Sequence, residues 1–131
     1  MGGTDSVLFD TDVLIFVQRG NIKAAALVED ARQRYISTQS YLELLQSTKN
    51  KQQHRIIQQF LKDFSFTVLP FTENIGHRAS VYVEEYTLSH AVRAGDAIIA
   101  ATAVEHHLPL ATANIKHFRP IKELDLKVFK P

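Results

Sequence analysis

The sequence predicts one α/β domain over residues 1–131, with a mostly parallel central sheet flanked by helices on both faces. The chain has 131 residues, of which 45% are hydrophobic and 22% charged, so its size and composition fit a single hydrophobic core. Short apolar segments typical of strands alternate with segments of helical periodicity, and this alternation favours a parallel sheet covered by helices. In such sheets ligands bind beyond the carboxyl ends of the strands, so a functional site is expected at that edge.

The first half of the chain begins with a short apolar strand that ends at an aspartate, Asp10. Further on, Ser40-Tyr41-Leu42-Glu43 matches the S-x-x-E capping pattern of a helix start, which places Glu43 in the first or second turn. The predicted elements of this half are strands at 7–9 and 35–36, and helices at 12–19, at 21–34, from 38 onwards and at 51–64.

The second half predicts three further strands and two helices, the second of which is apolar on nearly all sides and therefore buried. This buried helix covers 96–106 and begins at Asp96, directly after Gly95. Asn114 follows a strand at 108–111, so it falls at the same edge of the sheet as Asp10. The remaining predicted elements are strands at 66–69 and 125–129 and a long helix from 72.

Composition excludes several classes of protein. No cysteine is present, which excludes disulfides, iron–sulfur clusters and thiolate zinc sites and fits a reducing cytoplasm. The apolar stretches are too short to span a bilayer and the N-terminus lacks a signal segment, so a soluble, cytoplasmic protein is expected. The isolated glycines match neither the dinucleotide-binding nor the P-loop pattern. A net charge of +1 does not by itself indicate nucleic-acid binding, which would have to come from local basic patches.

Three acidic residues from distant parts of the chain are expected to converge at the sheet edge. Asp10 ends the first strand, while Glu43 and Asp96 lie near helix starts from which each could point over the same edge. Converging carboxylates repel one another unless a cation neutralises them, and oxygen ligands of this kind favour Mg²⁺ or Mn²⁺. The sequence therefore predicts a divalent metal site suited to phosphoryl transfer.

Each of these acids also has a plainer structural interpretation. Taken alone, Asp10 and Asp96 are typical helix caps, and Glu43 is a typical capping-box partner of Ser40. Asp12 is interpreted as a helix-start acid only, because side chains two residues apart on a helix do not share a face. The joint order of the three acids favours the metal site over three unrelated caps.

Several other polar residues are candidates for supporting roles. Thr11 and Thr112 are expected to hydrogen-bond the carboxylates. The six histidines lack the spacing of a zinc site, but His117 lies close enough to Asn114 in sequence to contact substrate. Most basic residues are expected to be solvated surface. The three nearest the site in sequence, and therefore the candidates for phosphate contacts, are Arg93, Lys116 and Arg119.

Four segments together resemble a PIN domain of the VapC-like toxin ribonuclease type. They are Asp10-Thr11-Asp12-Val13-Leu14-Ile15, the segment 37–45 with its glutamate, Asp96-Ala97-Ile98-Ile99-Ala100-Ala101-Thr102-Ala103, and Thr112-Ala113-Asn114-Ile115-Lys116-His117-Phe118. They occur in the right order over nearly the whole chain. The resemblance implies a metal-dependent RNA endonuclease with Asp10, Glu43 and Asp96 as ligands. It also implies a small antitoxin protein that blocks the site, and commonly a homodimer.

One position departs from the family pattern. Asn114 stands where many relatives carry an aspartate, so a fourth carboxylate would be missing and a second metal would be held more weakly, or through water. Two alternatives therefore stay open. One is a PIN-like module that binds RNA or a partner protein without cutting, and the other is a free-standing nuclease of RNA processing or DNA cleavage.

Overall fold

The computed structural model describes residues 6–131, which form a five-stranded sheet surrounded by helices. The strands are β1 (Ser6–Phe9), β2 (Gln33–Ser37), β3 (Phe66–Leu69), β4 (Leu110–Thr112) and β5 (Leu126–Val128). The helices are α1 (Thr11–Gln18), α2 (Ile22–Asp30), α3 (Thr38–Gln46), α4 (Lys51–Asp63), α5 (Glu73–His90), α6 (Ala94–Glu105) and α7 (Ile115–Phe118). The strand order is β3-β2-β1-β4-β5 and every pairing is parallel, which confirms the predicted fold class. None of the described helices is long and apolar enough to cross a membrane.

Two hydrophobic clusters, one on each face of the sheet, hold the helices in place. Side chains alternate along β1, so that Val7 and Phe9 enter one cluster and Leu8 enters the other. The first cluster contains buried residues of α1, α2, α3 and α4, and the second contains buried residues of α5, α6 and α7. The sheet is therefore covered by helices on both faces, as the sequence predicts.

The connections leave a crevice at the carboxyl end of β1. This strand pairs with β2 on one side and with β4 on the other. The chain therefore leaves β1 towards one edge of the sheet and later returns to the opposite side of the same strand. At such a switch point the segments after the two central strands diverge and leave room for a ligand. Asp10 directly follows β1 and Ala113 directly follows β4 at this place.

The helix predicted over 21–34 is shorter in the structure, and β2 is longer than predicted. α2 ends at Asp30, and Arg34 belongs to β2, where it is paired with Val7 of β1. The Arg34 guanidinium donates hydrogen bonds to the main-chain oxygens of Val28 and Glu29 at the end of α2. Helix propensity is overridden here because sheet pairing takes the Arg34 backbone while its side chain satisfies carbonyls that a longer helix would have used.

The predicted capping box of α3 is wrong. Ser37 caps this helix, and its Oγ accepts a hydrogen bond of 2.9 Å from the main-chain N–H of Ser40. Ser40 lies inside the first turn and is fully buried, while Glu43 lies in the second turn. The cap therefore begins three residues earlier than the S-x-x-E pattern indicates, and the Glu43 carboxylate remains available for other contacts.

The buried helix α6 begins at Ala94, two residues before the predicted start, and carries six buried residues as expected. Its end determines where the next strand begins. His107 has a positive φ of 54°, and the Leu108 N–H donates a 3.0 Å hydrogen bond to the main-chain oxygen of Ala103. Leu108 thus terminates the helix, which is why β4 begins at Leu110 and not at residue 108.

Candidate active site

Asp10 combines two roles at the end of β1. Its backbone is extended and its Oδ1 accepts a 2.8 Å hydrogen bond from the Thr11 N–H, so it is the N-cap of α1. Its Oδ2 accepts a 2.7 Å hydrogen bond from the Thr112 hydroxyl of β4, and only 6% of the residue is exposed. The capping interpretation and the site interpretation are compatible, because each uses a different carboxylate oxygen.

Asp12 also belongs to this group of carboxylates. It lies in the first turn of α1, as predicted, but the expectation that it faces away from Asp10 is wrong, because the two side chains interact. Asp10 precedes the helix in an extended conformation, so the rule for helical spacing does not apply to this pair. Oδ2 of Asp12 accepts a 3.1 Å hydrogen bond from the Ala113 N–H. Its Oδ1 is buried and has no hydrogen-bond partner within residues 6–131.

The electrostatics of these carboxylates reflect burial and mutual repulsion. The pKa of Asp10 is raised from 3.8 to about 8, chiefly by burial, then by the neighbouring charge of Asp12 and, less strongly, by that of Asp96. Hydrogen bonds from Thr112 and Thr11 oppose this increase only in part. Burial likewise raises the pKa of Asp12. The group therefore resists full ionisation at neutral pH unless a positive charge compensates it.

Asp96 enters the site from the first turn of α6 and contacts a histidine. Its Oδ2 lies 3.1 Å from Nδ1 of His117, and the same Nδ1 lies 3.1 Å from Nδ2 of Asn114. One ring nitrogen can donate to the carboxylate or accept from the amide, but it cannot do both in one tautomer. From its position in the sequence, His117 is predicted only to contact substrate. Its link to Asp96 depends on the short helix α7, which the sequence did not predict.

Glu43 joins the group through contacts at both of its oxygens. Oε1 accepts a 2.6 Å hydrogen bond from the Thr11 hydroxyl, and Oε2 accepts a 2.8 Å hydrogen bond from Nε2 of Gln39. Oε2 also packs against Gly95, where an added Cβ atom would lie only 2.8 Å away. Glu43 is therefore held next to the start of α6, one residue from Asp96, and its function is not that of a capping-box partner.

The described residues support a metal ion by the chemistry of their donors. Among residues 6–131 no three acidic or histidine side chains are already drawn together tightly enough to hold an ion. Two other observations fit a cation: the unpaired buried oxygen of Asp12 and the raised pKa of Asp10. Carboxylate oxygens are the ligands that Mg²⁺ and Mn²⁺ prefer, and a cation would offset the repulsion that separates them.

The remaining candidates fall around this group. Thr11 and Thr112 donate to carboxylates, as the sequence predicts, and the Asn114 amide lies against His117. Arg93 is the N-cap residue of α6. Three exposed basic side chains lie at α6 or α7 near the carboxylates, and they are Arg93, Lys116 and Arg119.

Comparison with known proteins identifies the class to which this fold and site belong. A family model described as PIN domain matches residues 7–124, and the chain belongs to this family. The chain is 35% identical over 122 residues to Ribonuclease VapC10 of Mycobacterium tuberculosis, covering 90% of each chain. It is 30% identical over 127 residues to Ribonuclease VapC1 of Rickettsia felis, covering 92% of this chain and 93% of the relative.

The fold is also similar to that of a solved structure. The fold superimposes with a TM-score of 0.77 on a toxin–antitoxin complex from Klebsiella pneumoniae, at 29% identity, covering 90% of this chain and 94% of that one. The resemblance to a VapC-like PIN domain that the four sequence segments indicate is thereby confirmed.

Proposed function

We propose that this protein is a metal-dependent endoribonuclease that hydrolyses RNA phosphodiester bonds, and that it is the toxin of a VapBC-type toxin–antitoxin pair. Its relatives named Ribonuclease VapC support the reaction, and the similar toxin–antitoxin complex supports the biological role. The proposal treats residues 1–131 as one nuclease domain that acts in the cytoplasm.

The observation that carries the proposal is a group of carboxylates, one buried and three half-buried, at the switch point of the sheet. Asp10, Asp12 and Asp96 interact electrostatically, and Glu43 is held beside Asp96. A protein gains nothing in stability from burying like charges together, so such a group is typical of a functional site. The class of ligand that offsets this repulsion and also binds phosphate is a divalent cation, Mg²⁺ or Mn²⁺.

The acidic residues and the threonines of the site have different roles in the proposed hydrolysis. Asp10, Glu43 and Asp96 would hold the cation, which when bound would offset the charge on the scissile phosphate and favour attack by water. Thr112 orients Asp10 through Oδ2, and Thr11 orients Glu43 through Oε1. These hydroxyls keep the carboxylates in place before substrate arrives, which lowers the cost of reorganisation during the reaction.

RNA binding is assigned to the exposed cations beside the carboxylates. Arg93, Lys116 and Arg119 are exposed, and we assign to them the contacts with phosphates of the RNA. His117 lies against both Asn114 and Asp96, and Asn114 and His117 are further candidates for contacts with the substrate. Contacts with phosphate do not distinguish one base from another. They therefore position the RNA without selecting its sequence.

The protein partners of the proposal are an antitoxin that blocks this site and a second copy of the chain. The similar complex from Klebsiella pneumoniae contains a toxin and an antitoxin. Exposed apolar side chains on α5, including Val81 and the almost fully exposed Leu88, support a homodimer, because apolar surface of this kind is commonly covered by a partner.

The test is cleavage of a total RNA pool by the purified protein in Mg²⁺ or Mn²⁺, with and without EDTA. The Asp96→Asn variant is expected to reduce cleavage by about a hundredfold or more, the effect typical of losing a group that stabilises charge in the transition state. Asp30→Asn, at the exposed end of α2, is the matched control and is expected to cut like the wild type.

Two outcomes are informative here. Cleavage that EDTA and Asp96→Asn both abolish supports the proposed reaction. If the wild type and the variant are equally inactive in either metal, with no antitoxin present, the proposed nuclease activity is wrong. The alternative of a module that binds RNA or protein without cutting then takes its place.

A further inference from the structure

We propose that Asp12 is a fourth carboxylate of the metal site and binds the cation through its Oδ1. This inference rests on the proposed function, because it adds a ligand to the metal centre of that nuclease. It assigns a binding role to a residue that its sequence position alone would explain as a helix-start acid.

The two carboxylate oxygens of Asp12 differ in their surroundings. Oδ2 is fixed by the Ala113 N–H at 3.1 Å and lies 3.4 Å from the Thr112 hydroxyl. Oδ1 is buried without a hydrogen-bond partner among the described residues. A buried carboxylate oxygen normally has a partner, because desolvation without one is costly. One oxygen is therefore anchored by Ala113, the residue that follows β4, and the other is free to bind a ligand.

The free oxygen belongs to a carboxylate that lies beside Asp10. The Thr112 hydroxyl donates a 2.7 Å hydrogen bond to Oδ2 of Asp10 and lies 3.4 Å from Oδ2 of Asp12, so the two carboxylates meet at this hydroxyl. Oδ1 of Asp12 is buried on a side chain beside this second carboxylate and has no partner among the described residues. A cation shared with Asp10 and Asp96 supplies that partner.

A role in starting α1 does not explain this arrangement. An acid in the first turn stabilises a helix by interacting with free N–H groups and with the helix dipole, and this effect does not require burial. Glu73 is likewise an acid in the first turn of its helix, α5, and its side chain is 88% exposed. The N-cap of α1 is already supplied by Asp10. The burial of Asp12 beside other acids is therefore an added cost that helix stabilisation alone does not offset.

The segment after β4 carries the neutral Asn114, and Asp12 supplies a negative charge next to this segment. The amide of Asn114 carries no charge, and its Nδ2 lies 3.1 Å from His117 Nδ1. Ala113, the residue immediately before Asn114, is the one that anchors Asp12. The segment after β4 thus contributes to the site by positioning a carboxylate from α1, and a carboxylate of its own is not needed.

The test measures Mn²⁺ binding by isothermal titration calorimetry on the full chain, without RNA. Asp12→Asn keeps an oxygen acceptor for the Ala113 N–H but removes the charge. Its Mn²⁺ affinity is expected to fall by more than the roughly 10–100-fold that loss of an outer hydrogen-bond partner typically costs. In EDTA its melting temperature is expected to rise, because one buried like charge has been removed. Glu73→Gln is the matched first-turn control and is expected to bind Mn²⁺ like the wild type.

The possible results separate the hypotheses. If Asp12→Asn binds Mn²⁺ as tightly as the wild type, the inference is overturned, and a lower melting temperature in EDTA would then show that Asp12 is only a helix-start residue. If Asp12→Asn does not fold, Asp12→Ser, which keeps a residue favourable at a helix start, is judged by the same two measurements. A wild type that binds no Mn²⁺ overturns this inference and the metal dependence together. A wild type that binds Mn²⁺ through Asp12 but cuts no RNA overturns only the nuclease.

Discussion

Gly95 occupies the second position of α6, where its missing side chain makes room for Glu43. A Cβ atom at this position would lie 2.8 Å from Glu43 Oε2 and 3.2 Å from Gln39 Nε2. The first distance is shorter than atoms of this kind tolerate, so one of the side chains would have to move. The glycine is therefore needed for the approach of the carboxylate to α6, and Gln39 then fixes that carboxylate by a hydrogen bond.

Replacing Gly95 with alanine is expected to lower RNA cleavage without lowering the stability of the protein. The variant Gly95→Ala should lose RNA cleavage by about tenfold or more, because Glu43 is displaced from its position beside Asp96. Its stability should stay level or increase, since alanine is favoured over glycine within a helix by about 0.5–1 kcal/mol. Cleavage assays and thermal unfolding on the same preparation measure the two effects.

A second helical glycine provides the control for this variant. Gly76 lies in α5, where an added Cβ would meet only the ring of Phe71, at 3.4 Å. Gly76→Ala is expected to keep full activity. Equal activity of Gly95→Ala and Gly76→Ala would contradict the spacing role of Gly95.

A residue of the site was predictable where local sequence pattern determines its position. It was not predictable where its position depends on a tertiary contact. Asp10 follows a strand and Asp96 begins a buried helix, so both positions can be read from local pattern. The contacts of Thr11 and Thr112 with carboxylates also agree with the sequence. Asp12 was misread, because whether two neighbouring acids face each other depends on the backbone angles of Asp10, which composition and spacing do not specify.

At the scale of secondary-structure elements, Arg34 joins three of them. From β2 its guanidinium donates to the Val28 and Glu29 carbonyls at the end of α2 and to the Phe64 carbonyl after α4. The same group lies over the Phe64 ring, 5.4 Å from its centre. A planar fork of donors can serve several carbonyls at once, which a lysine ammonium on a flexible stem does not reproduce.

The variant Arg34→Lys is therefore expected to be destabilised although it keeps the charge. Loss of the fork should lower the free energy of unfolding by about 1–3 kcal/mol, because helix-end carbonyls lose a charged donor. Urea unfolding measures this difference. Arg55→Lys, at an exposed position of α4, is the control and is expected to change the same quantity by less than about 0.5 kcal/mol. Equal stability of the two variants would contradict the role given to Arg34.

The elements themselves were largely predictable, and their ends were less so. β3 agrees with the predicted range, and the long helices α4 and α5 have the predicted periodicity. The errors at the end of α2 and at the start of β4 have one cause. In both places a side chain or an amide from beyond the helix, that of Arg34 or Leu108, satisfies the last helical carbonyls. The helix and strand propensities of the local sequence do not predict these contacts.

At the scale of the whole molecule, the alternation of strands and helices predicted a parallel sheet but not the order of its strands. The sequence shows which segments are strands, whereas the order β3-β2-β1-β4-β5 depends on which helices pack on which face. The crevice at β1 follows from that order. The location of the site at the carboxyl edge was therefore predictable, and its exact neighbours were not.

The buried carboxylates should make the stability of the whole protein depend on pH when no metal is present. The pKa of Asp10 in the folded protein is about 8, above the ordinary value of 3.8 that it has in an unfolded chain. Between these values the folded state binds more protons than the unfolded state, so stability decreases as pH rises. In EDTA the melting temperature is therefore expected to fall across this range.

The variant Asp10→Asn tests this dependence. It removes the raised pKa at this position, so its melting temperature in EDTA should fall less with pH and should exceed that of the wild type near pH 8. The exposed Asp30→Asn should follow the wild type. Thermal unfolding of the three proteins at a series of pH values decides the matter, and parallel curves for wild type and Asp10→Asn would count against a strained carboxylate group.

The contact between Asp10 and Thr112 joins residues that are 102 positions apart, and the contact between Asp12 and Ala113 spans almost as much of the chain. This separation has a consequence for biosynthesis, because a protein emerges from the ribosome beginning at its N-terminus. A growing chain that ends before α6 already carries Asp10, Asp12 and Glu43, but it lacks Asp96 and the hydroxyl that orients Asp10. The acidic group therefore cannot assemble until β4 has been made, and an incomplete chain carries no finished site while it is still surrounded by the RNA of its own ribosome.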